Sequence, residues 1–110
     1  MAYERIKIQS LHDKVITAAE AAKLFQDGMV VGSSGFTKAG DSKVVLPALA
    51  ERAKEDPLKI TLITGASLGH GTDGKLAEAG ALSKWLPFQV DRILRNKSNA
   101  GEVWVNDQHL

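Results

Sequence analysis

One stretch of the chain is rich in glycine and hydroxyl side chains and directly follows an apolar run. The apolar run is Met29-Val30-Val31, and the small polar residues are Gly32-Ser33-Ser34-Gly35-Phe36-Thr37-Lys38-Ala39-Gly40-Asp41. Glycine lets a backbone approach a ligand closely, and a small-residue loop between a strand and a helix presents N–H groups that suit phosphate, carboxylate or a developing oxyanion. On residue types alone this is a binding loop for an unspecified anion, and a plain strand–helix turn is the commoner outcome for a motif of this strength.

Two further small polar stretches follow apolar runs of their own. Gly65-Ala66-Ser67-Leu68-Gly69-His70-Gly71 comes after Ile60–Thr64, and Asn106-Asp107-Gln108-His109 ends the run that begins at Glu102. If the three strands are parallel, their carboxyl ends meet at one edge of the sheet, where such folds bind ligands. The spacing therefore predicts one polar rim built from three strand exits.

The candidate side chains on this rim are not arranged as a nucleophilic triad. Ser67 has no histidine or acid at a spacing that would activate it, so we do not predict a serine nucleophile. His70 lies in the same loop and is a candidate base, although loop histidines are usually solvated. Asp107 and His109 are candidates to line the cleft, with capping and sheet-edge hydrogen bonds as the other interpretation. The three histidines of the chain are too scattered to predict a metal site.

Helical and strand patterns alternate along the chain. Strands that alternate with helices predict an α/β fold: a three- to four-stranded, mainly parallel sheet with right-handed crossovers and helices on both faces. The predicted elements are a helix capped by Thr17 and ended by Asp27-Gly28, a strand Met29–Gly32, a helix at about 46–55 with Pro47 in its first turn, a strand Ile60–Thr64, a helix 74–80 capped by Asp73 and stopped by Gly80, a strand or helical turn Leu82–Leu86, a helix from Asp91 and a strand Glu102–Asn106. The pattern predicts these core residues: Phe25, Leu49, Leu62, Ile63, Ile93 and Trp104.

Composition excludes several classes of function. The chain has 110 residues, a formal net charge of +1 and no cysteine. Without cysteine there is no disulfide, thiolate metal site or cysteine nucleophile, and a balanced charge argues against a nucleic-acid surface. No apolar run approaches the length of a membrane span, and Met1–Ile6 has no signal-peptide core. We therefore expect a cytoplasmic protein with no membrane or nucleic-acid partner.

Six short motifs together resemble one protein family. The chain is similar to the N-terminal part of the acetyl-CoA hydrolase/transferase family, which includes succinyl-CoA:acetate CoA-transferases. Because the likeness covers essentially the whole chain and family members are several-fold longer, we expect residues 1–110 to be a single N-terminal domain of a longer enzyme. The motifs are Gly32-Ser33-Ser34-Gly35-Phe36-Thr37, Leu49-Ala50-Glu51-Arg52, Thr64-Gly65-Ala66-Ser67-Leu68-Gly69, Pro87-Phe88-Gln89, Asn99-Ala100-Gly101-Glu102 and Asp107-Gln108-His109-Leu110.

The resemblance implies a mechanism and a division of labour. In the family, an enzyme glutamate forms a glutamyl-CoA thioester, and CoA then passes to a small carboxylate such as acetate or succinate, or the thioester is hydrolysed. That glutamate has no counterpart here, so no catalytic residue is expected in this chain. Coenzyme A is a substrate, and no permanently bound cofactor is expected. Ser67, with Gly65 and Ala66, matches the segment that contacts the acyl or carboxylate group, and Ser34-Gly35-Phe36-Thr37 matches the loop bordering the same cleft.

The resemblance also implies partners. These are acyl-CoA and small carboxylic acids, the remainder of the enzyme or a second chain, and further copies in a homo-oligomer. A fragment of this kind should expose apolar surface, so we predict self-association or poor solubility. Two other functions stay open: an isolated phosphate- or nucleotide-binding module that uses Gly32–Asp41, and a non-catalytic interaction domain that pairs with a separate chain.

Overall fold

In the part of the chain that the structure describes, a four-stranded parallel sheet and the α-helices α1, α2 and α3 form the framework. The computed structural model describes residues 3–35, 39–65, 72–86, 96–97 and 99–105. The strands lie in the order β1-β2-β3-β4 and every neighbouring pair is parallel, which confirms the α/β class and resolves Leu82–Leu86 as a strand. Two short 3-10 helices, Tyr3–Arg5 and Gln9–Lys14, come first. The other elements are α1 Ala18–Ala22, β1 Val30–Ser33, α2 Val45–Glu55, β2 Ile60–Thr64, α3 Asp73–Glu78, β3 Leu82–Leu86 and β4 Trp104–Val105.

Helix α1 begins at the predicted capping box but ends early. The Thr17 hydroxyl accepts from the Glu20 N–H at 3.1 Å, and the Glu20 carboxylate accepts from the Thr17 N–H at 2.7 Å. The predicted stop at Asp27-Gly28 is wrong, because the helix ends at Ala22. The Nη1 atom of Arg52 donates to the carbonyl oxygens of Ala22 and Phe25, each at 2.7 Å. These carbonyls thereby gain a hydrogen-bond partner that a further helical turn would otherwise have supplied.

Helix α2 forms as its apolar spacing predicts. Leu46, Leu49, Ala50 and Ala53 recur at i, i+3, i+4 and i+7, and all four are buried. Pro47 lies in the first turn, where its missing N–H costs no helical hydrogen bond. The Ser42 hydroxyl accepts from the Leu46 N–H at 3.3 Å, which anchors the start of the helix to the loop that precedes it.

Helix α3 begins one residue before the predicted position and ends two residues before it, at Glu78, although Gly80 stops it as predicted. Asp73 is its first helical residue, so its assignment as the cap is wrong; Thr72 holds that position. Gly80 has φ of 70°, and its N–H donates to the Ala77 carbonyl while that of Ala81 donates to Leu76. This pair of bonds is the Schellman ending that glycine favours. None of the helices in the described part of the chain is long and apolar enough to cross a bilayer.

The core lies on one face of the sheet. Buried residues of α1, α2 and α3 form one cluster with Ile60, Leu62, Leu82 and Trp85. The predictions of Ile63 and Trp104 as core residues are wrong, since their exposed fractions are 39% and 53%. Side chains alternate between the faces of a strand, and these two point away from the helices. Leu49 and Leu62 are buried as predicted, Phe25 is partly buried, and Ile93 lies outside the described residues.

Helices α1, α2 and α3 all contribute to this one cluster, so they cover the same face of the sheet. The sequence pattern predicts helices on the second face as well. The helix expected from Asp91 lies outside the described residues apart from Asn96–Lys97 and Asn99, which are helical. Among the described residues no helix packs on the second face, so helices on both faces stay a prediction.

Candidate functional site

The ends of β1 and β2 lie side by side, as a shared rim requires. Ser33 and Thr64, the last residues of the two strands, are partners in the parallel register. Immediately beyond them the backbones touch, because a Cβ built on Gly65 would lie 2.6 Å from the carbonyl oxygen of Gly35. Such a distance leaves no room for a side chain at Gly65. The two loops singled out in the sequence are therefore in direct contact.

The loop after β1 is held closed by its own hydrogen bond. The Ser34 hydroxyl donates to the carbonyl of Gly40 at 3.0 Å, which brings the end of the loop back to its start. Gly35 has φ of 134°, a conformation that L side chains rarely adopt, so glycine is required there. Ser34 stays exposed, with its oxygen still able to accept a hydrogen bond from a ligand.

Asp41 joins this loop to the start of α3. Its carboxylate accepts from the Thr72 hydroxyl at 3.0 Å and forms an ion pair with Lys43. The Asp41 side chain is only 7% exposed, and Thr72 is buried. We call this pair the Asp41–Thr72 contact. It links the segment after β1 to the segment after β2, so both walls of the rim are tied together at their far ends as well as at Gly35 and Gly65.

The ionisation of Asp41 is favoured by its partners. The hydrogen bond from Lys43 is the largest cause that lowers the pKa of the Asp41 carboxyl, and the Thr72 hydroxyl lowers it further. A carboxyl whose pKa is lowered by folding stabilises the fold above its unfolded pKa, and this contribution is lost as pH falls through the folded value. At neutral pH Asp41 is thus a charged, fully engaged structural group.

The described residues include three of the predicted site residues. Ser34, Gly35 and Gly65 are brought together at the exits of β1 and β2. The others lie outside the described residues, and their positions stay predictions: Phe36, Thr37, Ala66, Ser67, His70, Asp107 and His109.

Two residues that organise this region were not singled out in the sequence. Asp41 was the last residue of the glycine-rich stretch, and an acid in that position was a usable signal for a loop anchor. Thr72 had no distinguishing pattern, because its role depends on a contact across 31 positions of the chain. Its hydroxyl donates to Asp41 and makes no cap bond to α3.

The described part of the rim offers hydrogen-bond donors and acceptors rather than a nucleophile. Its hydroxyl and backbone groups suit a carboxylate or an oxyanion, and its carboxylate, Asp41, is already paired and almost fully buried. Among the residues that the structure describes, no cluster of histidine and acidic side chains is arranged to hold a metal ion.

A separate hollow lies on the helical side. It has a volume of about 420 Å³ and is lined by residues of α1, by Lys23, and by the middle and end of α2, including Glu51, Arg52 and Glu55. None of the described residues at the strand exits lines it. Its position between the two helices makes it a packing groove next to the Arg52 hydrogen bonds.

Comparisons with known proteins agree on one family. The acetyl-CoA hydrolase/transferase N-terminal domain matches residues 2–110. The succinyl-CoA:acetate CoA-transferase of Clostridium kluyveri is 40% identical over an alignment of 109 residues that covers 97% of this chain and 20% of that enzyme. The propanoyl-CoA:succinate CoA transferase of Escherichia coli is 42% identical over an alignment of 100 residues that covers 86% of this chain and 20% of the relative. The acetyl-CoA hydrolase of Schizosaccharomyces pombe is 33% identical over an alignment of 111 residues that covers 96% of this chain and 21% of the relative. The chain thus spans about a fifth of the length of these relatives.

Proposed function

This chain belongs to the acetyl-CoA hydrolase/transferase family, and we propose that it supplies one wall of an active site that moves CoA from an acyl-CoA to a small carboxylate. The carboxylate class is that of acetate and succinate, and hydrolysis of the thioester is the other outcome that the relatives' names include. Coenzyme A acts as a substrate and not as a resident cofactor. The cytoplasm remains our predicted location.

The contact between the two loops is the observation that carries this proposal. The Gly35 carbonyl and the Gly65 backbone are so close that the exits of β1 and β2 form one continuous rim. Ser67 follows Gly65 by two residues, and Ser34 precedes Gly35 by one. The contact therefore supports a shared wall that includes both serines.

The chemistry of the reaction explains why such a wall is useful. When a carboxylate oxygen adds to a thioester carbonyl, negative charge develops on the carbonyl oxygen. Backbone N–H groups and hydroxyls fixed near that oxygen stabilise the charge, and each donor is worth roughly 10²–10³-fold in rate. We assign this role to the loops that contain Ser34 and Ser67, and the nucleophilic glutamate to the part of the enzyme outside these 110 residues.

A hybrid enzyme tests this assignment. In the hybrid, residues 1–110 replace the matching 109 residues of the Clostridium kluyveri relative. We expect the hybrid to transfer CoA from succinyl-CoA to acetate, because the chain supplies the wall and the relative supplies the glutamate. The 110-residue chain alone should show no turnover in the same assay.

The matched control is the relative with its matching segment deleted, which should be inactive. Turnover by the 110-residue chain alone would contradict the assignment of the nucleophile. An inactive but folded hybrid would contradict the proposed wall. Calorimetric titration of the chain with mononucleotides and with CoA tests one of the two other functions, since tight nucleotide binding without a preference for CoA would indicate a phosphate-binding module.

A further inference from the structure

In the part of the chain that the structure describes, no helix covers the sheet face opposite α1, α2 and α3, and this face is largely apolar. In the parallel register, Val30, Thr61, Lys84 and Trp104 form one row across all four strands. Gly32, Ile63 and Leu86 form a second row beside it. We call these seven residues the open face. Val30 is 66% exposed, and Ile63 and Trp104 are exposed as well, although all three are large apolar side chains.

An all-parallel sheet whose described helices cover only one face is physically unusual. Parallel sheets occur almost only with helices on both faces, which is why their strands are apolar on both sides. Here β1 and β2 carry apolar side chains on both faces, but α1, α2 and α3 cover only one. Strands added in the order β1-β2-β3 by right-handed crossovers put α2 and α3 on the same side. Neither of these helices can reach the open face.

We propose that the open face is the docking surface for helices from the part of the family-length enzyme that lies outside the matched fifth. The chain accounts for 20% of the Clostridium kluyveri relative, so most of a family-length polypeptide lies outside this chain and can supply helices that cover the open face. The exposed apolar side chains of the open face are buried best by helices that present apolar side chains to them. This inference rests on family membership and not on the proposed chemistry of the rim.

The open face also indicates the chemistry of its partner. Lys84 lies with its Nζ 5.5 Å from the centre of the Trp104 ring, which fixes a cation over an exposed aromatic side chain. A large aromatic group of this kind is a typical anchor in a buried interface. We expect the docking helices to present aliphatic side chains to Ile63 and Val30 and an acidic side chain to Lys84.

Cysteine labelling of the hybrid enzyme tests the proposal. The chain has no cysteine, so a single introduced thiol within it can be followed site by site by mass spectrometry. Val30→Cys reports on the open face, and Leu24→Cys is the matched control, because the two residues are 66% and 68% exposed in the isolated domain. In the native hybrid, we expect the thiol of Val30→Cys to be labelled at least about 100-fold more slowly than in urea, because opening of a buried site costs several kcal/mol. The labelling rate of Leu24→Cys in the native hybrid should stay within about 10-fold of its rate in urea.

Each result bears on the proposal. Equal labelling of the two native thiols, or protection of Leu24→Cys alone, would overturn it. Protection of Val30→Cys that disappears on dilution would assign the open face to a second copy and would also overturn it. Protection of Val30→Cys in a hybrid without turnover would support the docking surface and contradict the proposed function. Turnover in a hybrid without this protection would support the proposed function and contradict the docking surface.

The 110-residue chain provides a second measurement if the hybrid fails to fold. Without the docking helices, the exposed apolar side chains of the open face should make the isolated chain self-associate through that face. Ile63→Glu should then shift its sedimentation towards the monomer, while Leu24→Glu should not. Equal sedimentation of these two variants would overturn the proposal.

Discussion

Replacing Gly65 with alanine should lower the free energy of unfolding by about 2–3 kcal/mol, because overpacking against a fixed backbone has costs of this size. The added Cβ would lie 2.6 Å from the carbonyl oxygen of Gly35, and a backbone atom cannot rotate away as a side chain can. The two loops must separate to accept the methyl group. Chemical denaturation of the 110-residue chain measures the loss, and the hybrid enzyme should lose most of its turnover.

Gly32→Ala is the matched control for this substitution. Gly32 lies in β1, and a Cβ at this position meets nothing within 4 Å. Alanine is favoured over glycine in a strand interior by roughly 0.5–1 kcal/mol, so this variant should be neutral or slightly more stable. If Gly65→Ala were as stable as Gly32→Ala, the loops after β1 and β2 would not be in contact.

Arg52→Met should cost about 2–4 kcal/mol, since hydrogen bonds to charged groups contribute roughly 1.5–3 kcal/mol each and are not additive. Arg52 donates to the carbonyls of Ala22 and Phe25, and its other Nη contacts the Asp56 carboxylate at 3.1 Å. Methionine keeps most of the apolar stem and removes every one of these bonds. Thermal and urea unfolding of the variant measure the loss.

Two further variants identify which of these bonds matters. Asp56→Asn removes only the ion pair with Arg52. Because the Asp56 side chain is exposed, this change should cost less than about 1 kcal/mol. Lys54→Met removes an exposed pair with Glu51 on the same helix and should cost equally little. An Arg52→Met loss no greater than that of Lys54→Met would mean that the carbonyl bonds do not hold α1 in place.

The framework of this domain was predictable because its signals are local. The spacing of Leu46, Leu49, Ala50 and Ala53 defines the buried side of α2, and the β-branched run Ile60–Thr64 defines β2 with the same bounds as the structure. The capping box at Thr17 and the stop at Gly80 depend on residues within a few positions of each other. Local periodicity and capping chemistry suffice for such elements.

The errors at the end of α1 and in the core concern contacts between distant parts of the chain. Helix α1 ends at Ala22, where Arg52, 30 positions later, donates to the carbonyl of Ala22 and to that of Phe25. Ile63 and Trp104 look like core residues in the sequence, yet they lie on the face that the three described helices leave open. The apolar pattern of a strand does not show whether the helices that cover the two faces of a parallel sheet come from the same segment of chain. The family resemblance suggested the candidate site, and the contact between Gly35 and Gly65 agrees with the part of it that the structure describes.

A single cross-linking measurement tests most directly whether the strand exits form one wall. The variant Ser34→Cys/Ser67→Cys places the only two thiols of the chain at the two candidate serines. With a short bifunctional thiol reagent at low protein concentration, we expect an intramolecular link in high yield. The control Ser34→Cys/Glu78→Cys should not link, since Glu78 ends α3, which runs back from the rim. A Ser34–Ser67 yield no higher than that of the control would contradict the shared wall on which the proposed function depends.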